Sequence, residues 1–285
     1  MNISSKTRVC AIIGNPVGHS LSPLIHNAAF VEKNLDIVYT AFCVSDLPGA
    51  IEGVRALGIL GLSVTVPHKE AIIPLLDWVD PYASKIGAVN TVVNEDGLLR
   101  GYNTDAAGVS GALHDVPLKG ASVLIFGAGG ASRAAAFAVA LDTGLGSLTL
   151  IDPVEGRAVA LAADVRAKTG CAAVTGLTVQ EADYPALIKK SDILINASPL
   201  GMHPNTDASP IVDFTVDLKH IIFDIVYTPR ITRFIRQGMD AGARCITGDV
   251  MFLKQAECQF RLWTNKEASA AVMEAVLRKE MGLSF

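Results

Sequence analysis

Residues 121–142, ASVLIFGAGGASRAAAFAVALD, constrain the fold more than any other segment of this chain. An apolar run ends at Phe126, glycines follow at 127, 129 and 130, and an alanine-rich stretch comes directly after. That order reads strand, tight turn, helix. The turn needs glycine because it asks for backbone angles and close approaches that a Cβ would obstruct. The same alternation of short apolar runs with helical patterns extends from end to end, which predicts an α/β protein with mainly parallel sheets.

A first series opens with a strand at 8–14 and a helix from Ser22, with Ser22 as N-cap and Pro23 at its first position. Strands at 36–44 and 61–66 flank a helix at 47–57. Pro67 stops the run LSVTV, and the residues from His68 onward read as a helix. That places Lys69 in a first helical turn, where the positive end of the dipole disfavours a cation. Residues 88–103 carry two β runs around Asp96-Gly97, a hairpin signal. A helix then starts at Thr104/Asp105, where Asp105 also suits an N-cap.

The second series begins at residue 121 and continues with SLTLID (147–152), a helix to about Lys168, DILINAS (192–198) and HIIFDIVY (220–227). Two helices follow Gly248. The restart of the β–Gly–α pattern sets the expected boundaries: 1–104 plus 248–285 as one domain, 105–247 as the other.

The formal charge of −4 gives no basic footprint for nucleic acid or an anionic membrane. Half the residues are hydrophobic and 18% are charged, a globular balance. No apolar run reaches the ~18 residues of a membrane span, and MNISSKTRVC lacks the apolar region of a secretory signal. The five cysteines (10, 43, 171, 245, 258) form no CxxC and read as reduced thiols of a cytoplasmic protein. The histidines show no metal-ligand spacing, so no metal is expected.

The glycine turn fits a dinucleotide fingerprint. Gly127 makes the turn, Gly129 and Gly130 with Ala131 allow backbone to approach a pyrophosphate, and the helix N-terminus receives its charge. Ser132 stands at the third small position, and no GK[ST] follows, which argues against a P-loop. Asp152 lies 23 residues after Gly129, where a carboxylate would accept from ribose hydroxyls and repel a 2′-phosphate. The expectation is NAD, with NADP disfavoured; the alternative is that Asp152 only starts the Asp152-Pro153 turn.

With both halves in view, the chain resembles the shikimate dehydrogenase family, including its quinate/shikimate branch. Seven motifs occur in family order: GNPVGHSLSP (14–23), VTVPHK (64–69), GAVNT (87–91), NTD (103–105), GAGGASR (127–133), INASPLGM (195–202) and GDVMFLKQA (248–256). The resemblance implies two α/β domains, an N-terminal substrate domain and a Rossmann-like dinucleotide domain, with the C-terminal helices returning to the first.

It further implies Lys69 and Asp105 as the catalytic pair. Ser20 and Ser22 resemble carboxylate-binding hydroxyls, and Thr65, Asn90 and Gln255 match positions that bind ring hydroxyls. Tyr227 matches a tyrosine that reaches the substrate, while Ser198, Gly248 and Met251 match positions along the cofactor. The chemistry agrees: hydride transfer to a ketone leaves an oxyanion that needs a cationic acid, and a carboxylate can hold that lysine.

Departures from the family pattern bear on substrate and cofactor. Asp152-Pro153-Val154 replaces the NRT segment, so Pro153 stands where an arginine would meet a 2′-phosphate, while Arg157 survives further on. Tyr102 replaces an aspartate, as in some dual members; Ala106 and Val250 each replace a glycine; Ser22 keeps the serine usual in shikimate-specific members. The expectation is an NAD-preferring dehydrogenase that interconverts shikimate and 3-dehydroshikimate and could also turn over quinate, as a monomer or homodimer. The alternatives are a quinate-preferring or aminoshikimate dehydrogenase, or a catalytically silent metabolite-binding paralogue.

Overall fold

Strand β1 (Arg8–Gly14) carries CAII between its ends, and five of its residues in a row, Cys10 to Gly14, are buried. A strand buried on both faces needs parallel partners, because crossover helices then cover both sides. The computed structural model, which describes residues 3–141, 143–212 and 216–282, gives it two: β2 (Ile37–Cys43) and β3 (Gly61–Val64) both run parallel to it.

The chain divides into two compact units, residues 1–107 with 253–285, and residues 108–252. In the first, α1 (Ser22–Glu32) and α2 (Leu47–Ala56) connect the first three strands. After α3 (His68–Ala71), a 3-10 turn (Ile73–Leu75), β4 (Trp78–Val79) and α4 (Pro81–Ile86), the hairpin β5 (Thr91–Glu95) and β6 (Leu98–Tyr102) leads into α5 (Thr104–Ala112). Its sheet order is β2-β1-β3-β5-β6-β4. The hairpin enters antiparallel, so the sheet is mixed, with β1 to β3 parallel to one another and β4 parallel to β6. Asp96 at φ 51° and Gly97 at φ 93° form the left-handed pair that a two-residue hairpin turn requires.

The second unit is a wholly parallel sheet. It contains β7 (Ser122–Phe126), α6 (Gly130–Ala140), β8 (Ser147–Asp152), α7 (Arg157–Thr169), β9 (Val174–Thr178), α8 (Tyr184–Lys190), β10 (Ile193–Asn196), β11 (Ile221–Asp224), α9 (Arg233–Asp240) and β12 (Arg244–Ile246). The order β12-β11-β10-β7-β8-β9 is the doubly wound arrangement, whose direction reverses between β7 and β10. Helices α10 (Gly248–Thr264) and α11 (Ala270–Glu280) end the chain. Within the first unit Phe260 of α10 stacks on Phe30 at 5.3 Å, both fully buried, and Trp263 Nε1 donates to Val92 O at 3.0 Å. Each such aromatic contributes roughly 1.5–3 kcal/mol by burial.

Two local expectations are corrected. Ser22 is the first helical residue and not the cap; Leu21 occupies the N-cap without a side-chain bond, and Ser20 Oγ accepts from Ser22 N at 3.3 Å. The helix after Pro67 is a single turn, His68–Ala71, because Pro74 three residues on turns the chain into the 3-10 segment. One turn carries almost no macrodipole, so the dipole argument about Lys69 falls away. The short elements β4, α4, β9, α8, α9 and β12 were not read from the sequence, as they are too brief or too polar for a clear period.

Candidate active site

The first unit gathers the polar groups that follow β3 and β6. Lys69, half-buried, forms an ion pair with Asp105 Oδ2, and Asp105 at the start of α5 is 8% exposed. Asn90, at the entry to β5, donates from Nδ2 to the other carboxylate oxygen, Oδ1, at 2.8 Å and to Thr104 Oγ1 at 3.0 Å. Thr104 N returns a bond to Asn90 Oδ1 at 2.7 Å, and Thr104 Oγ1 reaches Gln255 Oε1 of α10 at 3.5 Å. Lys69, Asn90, Asp105 and Gln255 thus form one connected cluster. Asp105 is more than a helix cap here: in α5 that local task goes to Asn103, whose Oδ1 accepts from Ala106 N at 3.0 Å.

Backbone bonds hold this cluster in place. Val89 N donates to Lys69 O at 2.8 Å, and Asn90 N to Tyr102 O at 3.0 Å, so lysine and asparagine are tied to one sheet end. Thr65 follows β3, its amide donating to Ile13 O at 2.9 Å. Gly14 makes room for it, since a Cβ there would lie 2.4 Å from Thr65 Cγ2. Ser20 and the buried Ser22 are linked through the bond already described. His68 turns away: Nε2 meets Val44 O at 2.9 Å, a structural bond inside the fold.

An ammonium and a carboxylate held this way can do acid–base work. The charge pair is partly desolvated, so its mutual attraction is larger than at a surface, and loss of either member leaves an uncompensated charge.

In the second unit Gly127, at φ 107°, packs against β10: a Cβ would stand 2.9 Å from Ala197 O. Gly129 caps α6 and a Cβ there would meet nothing within 4 Å, so the approach to the helix N-terminus is open. Gly130 and Ala131 begin the eleven-residue helix, and their N–H groups have no intrahelical acceptor. Ser132 is fully buried and donates to Gly127 O, closing the turn. These features fit a dinucleotide pyrophosphate.

Ser198 follows β10, its N and Oγ donating to Asn196 Oδ1 at 3.1 and 2.7 Å. Gly248 permits a close crossing, because a Cβ would lie 2.5 Å from both Ile225 O and Val226 O. Met251 is 5% exposed. Tyr227 stacks on Phe252 at 4.6 Å, and burial pushes its phenol up. Arg230 Nε donates to Asp249 Oδ2 at 2.9 Å in the same region.

Asp152 behaves differently from its expected role. It is 4% exposed, Oδ2 accepts from Ala128 N at 2.7 Å and Oδ1 accepts from Val154 N at 2.9 Å. Both oxygens fasten the glycine turn to the end of β8. The carboxylate therefore has a structural task in the turn, which accounts for its place at the end of β8 without a ribose contact.

Three groups escaped the sequence reading. Thr104 and Thr91 are buried within the Asn90 cluster, and Gln259 joins it from α10. The available signal was Gln255 followed four residues later by Gln259, a pair of amides on one helix face.

Comparisons with known proteins give the family. A family model described as the shikimate dehydrogenase substrate binding domain matches residues 12–92, and one described as the shikimate 5′-dehydrogenase C-terminal domain matches residues 250–278. A shikimate dehydrogenase (NADP(+)) of Moorella thermoacetica is 43% identical across 100% of this chain and 97% of its own length. One from Methanothermobacter thermautotrophicus is 42% identical across 97% and 98%. A solved shikimate dehydrogenase in complex with NADP+ matches at TM-score 0.90 and 37% identity, covering 98% of each chain. These relatives overturn the expected preference for NAD with NADP disfavoured; that expectation took Asp152 as a ribose ligand placed to repel a 2′-phosphate, whereas both its oxygens fasten the turn.

Proposed function

The chain belongs to the shikimate dehydrogenase family, NAD(P)-dependent oxidoreductases acting on a CH–OH group, and on that premise we propose that it interconverts shikimate and 3-dehydroshikimate with NADP as its cofactor. The observation that carries this reading is the Lys69–Asp105 ion pair with Asn90 on the second carboxylate oxygen.

The bound dinucleotide supplies or accepts the hydride. Lys69 sits at the reacting oxygen, neutralises the negative charge that grows there on ketone reduction, and gives the proton that completes the alcohol. Asp105 keeps the ammonium aligned and accepts a hydrogen bond from the same hydroxyl. In the oxidative direction the proton returns to Lys69. Thr65, Asn90 and Gln255 bind ring hydroxyls, Ser20 and Ser22 the carboxylate, and Tyr227 also contacts the substrate. A neutral polyol with one carboxylate suits this set of uncharged donors and acceptors better than a basic pocket would.

Gly127, Gly129, Gly130 and Ala131 would hold the pyrophosphate, and Ser198, Gly248 and Met251 would line the cofactor. Arg157, exposed at the first position of α7, is the cation for a 2′-phosphate. The enzyme works in the cytoplasm.

The test is a matrix of shikimate and quinate against NADP and NAD, repeated with Lys69→Ala and Asp105→Asn. We expect shikimate with NADP to give the highest kcat/KM and Lys69→Ala to lose about 10²–10⁴-fold in kcat. Quinate turned over better than shikimate would replace the substrate assignment. Lys69→Ala keeping more than about a tenth of wild-type kcat would remove the acid–base role.

A further inference from the structure

Gln259 lies one helical turn beyond Gln255 on α10, is 1% exposed, and is joined to Asp105 by an unbroken run of hydrogen bonds. The Tyr39 hydroxyl donates to Ser63 Oγ at 2.6 Å, and Ser63 donates to Gln259 Oε1 at 3.0 Å. Gln259 Nε2 donates to Thr91 Oγ1 at 3.0 Å. Thr91 Oγ1 donates to Asn90 Oδ1 at 2.9 Å, and Asn90 Nδ2 donates to Asp105 Oδ1 at 2.8 Å. Every donor in the run points toward the carboxylate.

The direction matters because an asparagine amide has nearly the same shape either way round. One end donates and the other accepts, so its surroundings must decide which end meets Asp105. Asn90 Oδ1 collects donors from Thr91 Oγ1, from Thr104 N at 2.7 Å and from Thr104 Oγ1 at 3.2 Å. The Thr91 hydroxyl has a single proton and a second neighbour, Thr104 Oγ1, at 3.1 Å. Gln259 fills one lone pair of Thr91 and thereby turns that proton toward Asn90. Ser63 holds Gln259 in the donating orientation by occupying its carbonyl oxygen. Amide groups pass no proton along such a run, so it is a support of fixed polarity and not a relay.

We infer that Gln259 is a positioning residue for Asp105, acting through Thr91 and Asn90 to keep the Asn90 amide turned toward the carboxylate. The inference rests on the reading of Lys69 and Asp105 as the acid–base pair. It extends the chemistry of the site one helical turn along α10, to a residue outside the set assigned to the substrate.

The test measures kcat and KM for shikimate with NADP on the full-length enzyme, for Gln259→Leu, Thr91→Val, Asn90→Ala, Asp105→Asn and the Gln259→Leu/Asn90→Ala double variant. Thermal unfolding of each variant runs alongside. Gln259→Leu and Thr91→Val are each expected to lower kcat about tenfold while KM moves less than about threefold. In the Asn90→Ala background Gln259→Leu should change kcat less than about twofold, because the group it positions is gone. A merely structural glutamine would give an undiminished loss in that background, which overturns the inference. A folded Gln259→Leu or Thr91→Val with kcat within about twofold of wild type overturns it as well. Should Gln259→Leu not fold, the isosteric Thr91→Val decides by the same threshold. An Asp105→Asn enzyme with near wild-type kcat overturns both this inference and the acid–base reading beneath it. An inactive Asp105→Asn beside unaffected Gln259 and Thr91 variants overturns this inference alone.

Discussion

Asn90 donates to Asp105 Oδ1 at 2.8 Å while Lys69 pairs with Oδ2, so each carboxylate oxygen has its own partner. The division fixes the carboxylate's rotation without using the lysine for that purpose. An ammonium has three donors, so the pairing with Asp105 uses one of those on Lys69.

Asn90→Ala removes that fixation. It leaves Asp105 Oδ1 and Thr104 N without partners in a site where Asn90 is 3% exposed. Orphaned buried groups cost about 1–3 kcal/mol each, so chemical denaturation should show a loss of that order together with reduced kcat. A variant as stable as wild type would contradict this account of the cluster.

Arg157→Ala tests the cofactor assignment. Removal of this exposed cation should raise KM for NADP several-fold and leave KM for NAD nearly unchanged, an effect that added salt reduces in the wild type. Equal changes for both cofactors would separate Arg157 from the 2′-phosphate.

His26 should make the protein acid-sensitive. It is fully buried against Tyr39 at 4.7 Å, and burial pushes its pKa from 6.5 down to about 3, opposed by a hydrogen bond with Gln259 that favours the charged form. Below pH 6.5 the unfolded chain takes up a proton that the folded chain refuses, so stability falls as pH drops toward 3. The slope is at most about 1.4 kcal/mol per pH unit. Urea unfolding of wild type and His26→Leu between pH 7 and 5 checks this; wild type should lose stability relative to His26→Leu as pH falls.

Asp224 acts with the opposite sign. Burial raises its carboxyl from 3.8 to about 7, against donors from Thr232 Oγ1 at 2.6 Å, Val226 N at 3.0 Å and Asn196 Nδ2 at 2.9 Å. From pH 4 to 7 the unfolded chain has released a proton that the folded chain still binds, so this group's contribution falls as pH rises and then levels off. Asp224→Asn is expected to be destabilised at pH 5 and to recover relative to wild type by pH 7. A gap that stays constant over that range would mean that Asp224 is ionised throughout.

The sequence made the second unit legible because its signals are local. An apolar run, a glycine turn and an alanine-rich helix are neighbours in the chain, and Gly127 at φ 107° takes the conformation that the turn called for. The hairpin at Asp96-Gly97 was readable for the same reason. Short elements such as β4 and β12 were not, since two or three residues carry no period.

What the sequence determined by itself was the alternation of strands and helices, the nucleotide turn and the identities of Lys69, Asn90 and Asp105. What only the tertiary structure decided is how those side chains are used. Asp152, read as a ribose ligand, has one oxygen on the Val154 amide of its own loop and the other on the Ala128 amide of the glycine turn, a fact that depends on where β7 and β8 bring Ala128. Gln259 lies 154 positions from Asp105 in the chain, yet a buried run of hydrogen bonds couples them. Periodicity reports which face of an element is apolar, whereas a polar network is settled only when the fold has excluded water and each donor must find an acceptor within reach.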